Sequence, residues 1–98
     1  MTHRGHAGPD LFGDALGRAV IDALREDNPA LEVRDWGAFV RASAPDRCVL
    51  RRATVERLLG EPFRLPGDLE RIMPSCQGRI AISADEVVWA AESAEPAK

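Results

Sequence analysis

The sequence predicts a small α+β domain built on antiparallel sheets. Three observations predict it. Apolar residues at three- and four-residue spacing, stopped by an Asn-Pro pair, mark one clear helix. Short runs of alternating apolar and charged residues, separated by turn residues, mark strands. A second, shorter helical stretch falls between groups of strands, an order that suits antiparallel sheets better than repeated βαβ units. With 98 residues the chain supports one hydrophobic core.

The elements follow in chain order. Asp14 is placed to cap a helix in which Leu16, Ala19, Val20, Ala23 and Leu24 form one stripe and Arg18, Asp22, Arg25 and Glu26 face away. The helix stops near Asn28, because Pro29 disfavours helical geometry in the residue before it. Residues 31–34 and 38–42 read as a hairpin around a turn at 35–37. A turn at Ala44-Pro45 leads to a third strand at 48–51. Thr54 then caps a second helix, with Val55, Leu58 and Leu59 inward and Gly60 as its left-handed stop before Pro62. Leu69, Ile72 and Met73 have helical spacing behind an Asp68 cap, yet Pro66, Gly67 and Pro74 leave room for only a turn and a half. Residues 79–83 and 86–90 form a last hairpin, with Ile80 and Ile82 opposite Val87 and Trp89. Composition marks residues 1–8 as a flexible arm, 9–91 as the folded domain and 92–98 as a flexible tail.

Composition excludes several function classes. The chain is 45% hydrophobic and 30% charged with a net charge of −3, and no apolar run is long enough for a membrane span. Twelve arginines and one lysine are interleaved with sixteen carboxylates, which leaves no excess cation to neutralise phosphates, so nucleic acid is not an expected partner. The histidine and cysteine spacings match no metal motif, and Ser75 and Ser83 have no histidine nearby in sequence to activate them. His3 and His6 are three apart but lack further ligands. Cys48 reads as a small buried hydrophobe and Trp89 as a core anchor. The N-terminus has no apolar core of a secretory signal, and the cytoplasm is the expected compartment.

Several short motifs then point the same way. Gly8-Pro9, a helical stretch ending in Asp27-Asn28-Pro29, Ala38-Phe39-Val40-Arg41, Arg51-Arg52-Ala53-Thr54-Val55-Glu56, Leu59-Gly60-Glu61-Pro62-Phe63, Asp68-Leu69-Glu70 and Gly78-Arg79-Ile80 with Asp85-Glu86 stand in a specific order and spacing. In that order the chain resembles the effector, or coupling, component of soluble multicomponent di-iron monooxygenases, the regulatory proteins of the methane, phenol, toluene and alkene systems. The Asp68-Leu69-Glu70 stretch and the length resemble the toluene and alkene branch more than the methane branch.

The resemblance implies a fold of β-α-β-β-α-β-β type, with two antiparallel sheets meeting at a corner and two main helices. It implies a non-catalytic protein without a cofactor, which docks on the α subunit of the di-iron hydroxylase and tunes oxygen activation, electron coupling and substrate access. A reductase and a Rieske ferredoxin are the further components it suggests. In the family, the segment before the Gly-Arg step lies on the docking face, and the matching positions here are Ile72, Met73, Pro74, Ser75, Cys76 and Gln77. Pro74 and Cys76 depart from the small polar residues usual there. Two readings of this segment stand: a docking face, or core residues Ile72 and Met73 followed by a turn. Arg34 and Arg41, on the polar side of their strands, either pair with a partner's carboxylates or are solvated, and Trp36 in its turn is a contact anchor if exposed. The interface candidates are therefore Arg34, Trp36, Arg41, Met73, Ser75, Cys76 and Gln77. A general protein–protein adaptor of α+β type is the competing function, and only the resemblance argues against it.

Overall fold

The computed structural model describes residues 5–92 of the chain. In order, these form β1 (His6–Phe12), α1 (Ala15–Asp27), β2 (Glu32–Asp35), β3 (Phe39–Pro45), β4 (Arg47–Arg51), α2 (Arg52–Leu59), α3 (Gly67–Glu70), β5 (Ser75–Gln77), β6 (Arg79–Ile82) and β7 (Glu86–Ala90). All strand pairs are antiparallel, in a four-stranded sheet of order β2-β3-β1-β5 and a three-stranded sheet of order β4-β7-β6. The α+β class and the two antiparallel sheets are as expected.

The chain passes from the four-stranded to the three-stranded sheet twice, each time through one residue, and returns between them through α2 and α3. Asp46 separates β3 from β4 and has φ 69°; Gly78 separates β5 from β6 and has φ 86°. A left-handed residue turns the strand direction sharply without a loop, which makes the corner between the sheets. A side chain at Gly78 would put its Cβ 2.5 Å from the Ala90 carbonyl oxygen, so close approach as well as φ requires glycine there. The turn expected at Ala44-Pro45 is thus displaced to Asp46, because Ala44 and Pro45 still pair with Ala7 and His6 of β1.

The core lies between the sheets and α1. Val20, Ala23 and Leu24 of α1, Leu11 of β1, Val40 and Ala42 of β3, Leu50 of β4, Val55 of α2 and Trp89 of β7 are all within 1% of complete burial. Asp14 accepts the Gly17 N–H at 2.8 Å and is the expected cap. At the other end, the Asn28 amide donates to the carbonyls of Leu24 (2.9 Å) and Val49 (2.7 Å) and accepts the Val49 N–H (2.8 Å). Asn28 therefore does more than stop α1: it bolts the helix end to β4.

Local expectations needed correction at four places. Thr54 is not the α2 cap; the helix starts two residues earlier, at Arg52, and the Thr54 hydroxyl instead donates to Asp27 at 3.0 Å. Asp68 lies inside α3, where its carboxylate accepts the preceding Arg64 N–H at 2.8 Å. Leu58 is 38% exposed, because the α2 face that packs inward is the one carrying Val55 and Leu59. The arm read through Gly8 overlaps β1, whose Ala7 is fully buried. The rest of that arm up to residue 4, His3 included, and the tail from residue 93 lie outside the described residues.

Candidate functional site

The four-stranded sheet buries one face and exposes the other, and strand alternation assigns residues to each. Register places Arg34, Arg41, Asp10 and Ser75 in one row across β2, β3, β1 and β5. Two residues along each strand, Glu32, Ser43, Gly8 and Gln77 form the next row, and on the other side Phe39 pairs with Phe12 next to Trp36. The opposite face carries Ala7, Leu11, Val40, Ala42 and Ala44 into the core. The outer face is thus graded, with aromatic residues at one end and polar ones towards the other.

Trp36 is 59% exposed, Phe39 46% and Phe12 38%, with the two phenylalanine rings 5.6 Å apart between centroids. The turn that carries Trp36 is held by α1. Arg18 donates to Asp35 at 2.7 Å and to the Gly37 carbonyl at 3.1 Å, Asp35 accepts the Gly37 N–H at 2.8 Å, and the Trp36 N–H bonds the Phe39 carbonyl at 2.8 Å. The Arg18 hydrogen bond and the Gly37 N–H hold the Asp35 carboxyl below its ordinary value.

Beside the rings, the Arg41 guanidinium stands 5.9 Å from the Trp36 ring centroid, within cation–π range. Its Nε donates to Asp10 at 2.7 Å and its Nη2 to the second carboxylate oxygen at 3.3 Å. The Ser75 hydroxyl also donates to Asp10, at 2.7 Å. Partial burial pushes the Asp10 carboxyl up, but the bonds from Arg41 and Ser75 and the Arg41 charge outweigh it and leave it below its ordinary value. A groove of about 320 Å³ runs along this network, lined by Trp36, Phe39, Val40, Pro74, Asp10, Arg41 and Ser75. A second, more polar cleft shares Trp36 and Arg41 and adds His6, Glu32, Arg34, Ser43 and Gln77.

Five of the seven interface candidates thus meet on one face: Arg34, Trp36, Arg41, Ser75 and Gln77. Met73 and Cys76 are half-buried and pack against the core from behind it. The two readings of the segment resolve in parts, since Ile72 is core at 4% exposure and Ser75, Cys76 and Gln77 are neither turn nor loop but strand β5, paired with β1. The sequence reading missed Asp10, Phe12 and Phe39. Phe39 shares its strand parity with Arg41 and was open to discovery by alternation alone. Asp10 was not, because its role depends on β1 lying between β3 and β5.

The remaining chemistry is sparse. Both cysteines are free thiols. Burial, with the Asp27 charge adding to it, pushes the Cys48 thiol up to about 12. Burial, with a smaller contribution from the Asp10 charge, also raises the Cys76 thiol. Neither is poised as a thiolate nucleophile. Among the described residues no three His, Cys, Asp or Glu side chains gather as a metal site, and no helix is long and apolar enough to cross a membrane.

Comparison with known proteins adds sequence kinship to this geometry. The family model described as MmoB/DmpM family matches residues 6–90. The effector subunit of the alkene monooxygenase system of Xanthobacter autotrophicus (strain ATCC BAA-1158 / Py2) is 39% identical over 84 residues, spanning 84% of this chain and 82% of that protein. Two solved structures of a phenol hydroxylase–regulatory protein complex contain chains that superpose with TM-scores of 0.78 and 0.74, each at 23% identity over 90% of this chain and 98% and 99% of theirs. At that identity the superpositions speak for the fold.

Proposed function

The chain belongs to the MmoB/DmpM family, and on that footing we propose that it is the effector protein of a multicomponent monooxygenase, a non-catalytic component that docks on the di-iron hydroxylase. The observation that carries this is the 39% identity, over most of both chains, to an alkene monooxygenase effector subunit. Family membership displaces the general adaptor. The same likeness favours an alkene or related hydrocarbon system, with a reductase and a ferredoxin as further components. Two free thiols fit a reducing cytoplasm, where we place the protein.

The docking face we assign is the outer side of the four-stranded sheet, with Arg34, Trp36, Arg41, Ser75 and Gln77 presented and Met73 and Cys76 supporting β5 from the core. An exposed tryptophan with an arginine over its ring is the kind of pair that dominates interface energetics. Binding there acts on the hydroxylase by population shift. An effector that prefers one hydroxylase conformation by about 3 kcal/mol changes its populations more than a hundredfold, while one without a preference changes nothing. Oxygen activation, electron coupling and substrate access then follow from the conformation selected.

The test is turnover of the matching hydroxylase and its reductase, titrated with this protein. Rate, coupling of electrons to product, or product distribution should change and saturate near one effector per active site. The protein alone should show no turnover. If all three quantities stay constant through the titration, the reading is wrong.

A further inference from the structure

The geometry points to Asp10 as the positioning residue of this face, the group through which the β5 segment and the Arg41–Trp36 pair answer to docking as one unit. The inference rests on the docking reading above. Its basis is topological. β3 and β5 are not neighbours, since β1 lies between them in the sheet. Arg41 and Ser75 therefore share no backbone ladder, and the Asp10 carboxylate is the group that touches both: Arg41 Nε on Oδ1 at 2.7 Å, and Arg41 Nη2 at 3.3 Å and Ser75 Oγ at 2.7 Å on Oδ2.

Three features make this carboxylate more than a surface partner. Its side chain is only 15% exposed, whereas the Arg41 side chain is 44% exposed, so the bridge is screened less than an open surface pair. It stands on β1, between β3 and β5 with a ladder to each, so the anchor itself is fixed. The Arg41 it orients is the one whose guanidinium lies over Trp36, and all four residues line the same groove. A partner that presses on β5 therefore meets an Arg41 and a Trp36 already set, and interface residues held before contact cost less ordering on binding.

A merely stabilising role would lower stability without linking the two sides. The linkage is read in two ways, with the full chain and its matching hydroxylase. First, docking affinity is measured for wild type, Arg41→Ala, Ser75→Ala and the double variant. Coupled residues are non-additive, and the double variant should bind at least about threefold tighter than the product of the single losses predicts. In the Asp10→Asn background, which keeps the side-chain shape, that excess should vanish. Second, in the isolated protein, Arg41→Ala on β3 should speed amide hydrogen exchange in Ser75–Gln77, two strands away, while leaving β6 and β7 unchanged. Additive affinities together with unmoved β5 exchange overturn the inference even if wild type activates the hydroxylase. A wild-type protein that does not alter turnover at all overturns the docking reading and this inference with it.

Discussion

Asp46 and Gly78 do the same job at the two corners of the fold: each is the single residue between a strand of one sheet and a strand of the other, and each has positive φ. They differ in surroundings. A side chain at Gly78 would meet the Ala90 carbonyl oxygen at 2.5 Å, whereas Asp46 already carries a side chain.

That difference predicts unequal costs for the same residue at the two corners. Gly78→Ala combines the left-handed penalty of about 1–2 kcal/mol with a clash against fixed backbone, and should destabilise by about 3 kcal/mol. Asp46→Ala adds no such clash and should cost less. Urea unfolding of the two variants checks the order; equal midpoints would mean the Ala90 strand gives way.

Asn28 should be intolerant of its nearest isostere. The residue is 7% exposed and uses both amide protons and its oxygen, on Leu24 and Val49. Asn28→Asp keeps the shape but sets a carboxylate oxygen against the Leu24 and Val49 carbonyls, of which Val49 loses this donor while Leu24 keeps only the Asn28 backbone N–H. Unsatisfied buried groups cost about 1–3 kcal/mol each, more with a charge, so a loss of about 3 kcal/mol or more is expected in chemical denaturation at pH 7. Lowering the pH should return part of that loss, because the protonated Asp regains a donor.

Acid should weaken the polar face before the core. The Asp10 carboxyl is held below its ordinary value of 3.8, by the Arg41 and Ser75 bonds against the opposing effect of burial. A carboxyl depressed in the folded state contributes stability that is fully present above its unfolded value and is lost as pH falls through the folded one. The unfolding midpoint should therefore fall below about pH 4, and Asp10→Asn should flatten part of that fall. An Asp10→Asn profile parallel to wild type between pH 5 and 2.5 would show that other carboxylates carry the whole effect.

The amphipathic stripe of α1, its Asp14 cap, both hairpins and the Gly60 stop were legible because each is written in local spacing. β1 and β5 were not. Gly8-Pro9 interrupts the alternation in β1, and β5 spans three residues, Ser75-Cys76-Gln77, with none of the branched apolar side chains that mark strands. Their pairing depends on contacts far away in sequence, between Asp10 and Ser75 for example. The same holds for the site. Trp36 and the two arginines could be picked from turn and strand parity, while Asp10, which joins them to Ser75, required the strand order.

The proposed docking face should separate binding from stability. Trp36 is 59% exposed, and Arg34 lines the polar cleft beside it with no ion pair to a carboxylate among the described residues. Exposed residues outside core and caps change stability by roughly 0.5 kcal/mol or less when truncated, so Trp36→Ala and Arg34→Ala should unfold near the wild-type midpoint. At an interface centre a tryptophan is worth about 2 kcal/mol or more, which is roughly a thirtyfold loss of affinity. Trp36→Ala should therefore need about thirty times more protein for half-maximal effect on hydroxylase turnover. Arg34→Glu should act differently: reversing a charge at the rim lowers the association rate and alters the salt dependence of docking more than it alters the dissociation rate. Trp36→Ala with an unchanged titration midpoint would move the docking face off this sheet, and the β6 edge, where Ile80 and Ile82 are 38% and 36% exposed, would be the next surface to substitute.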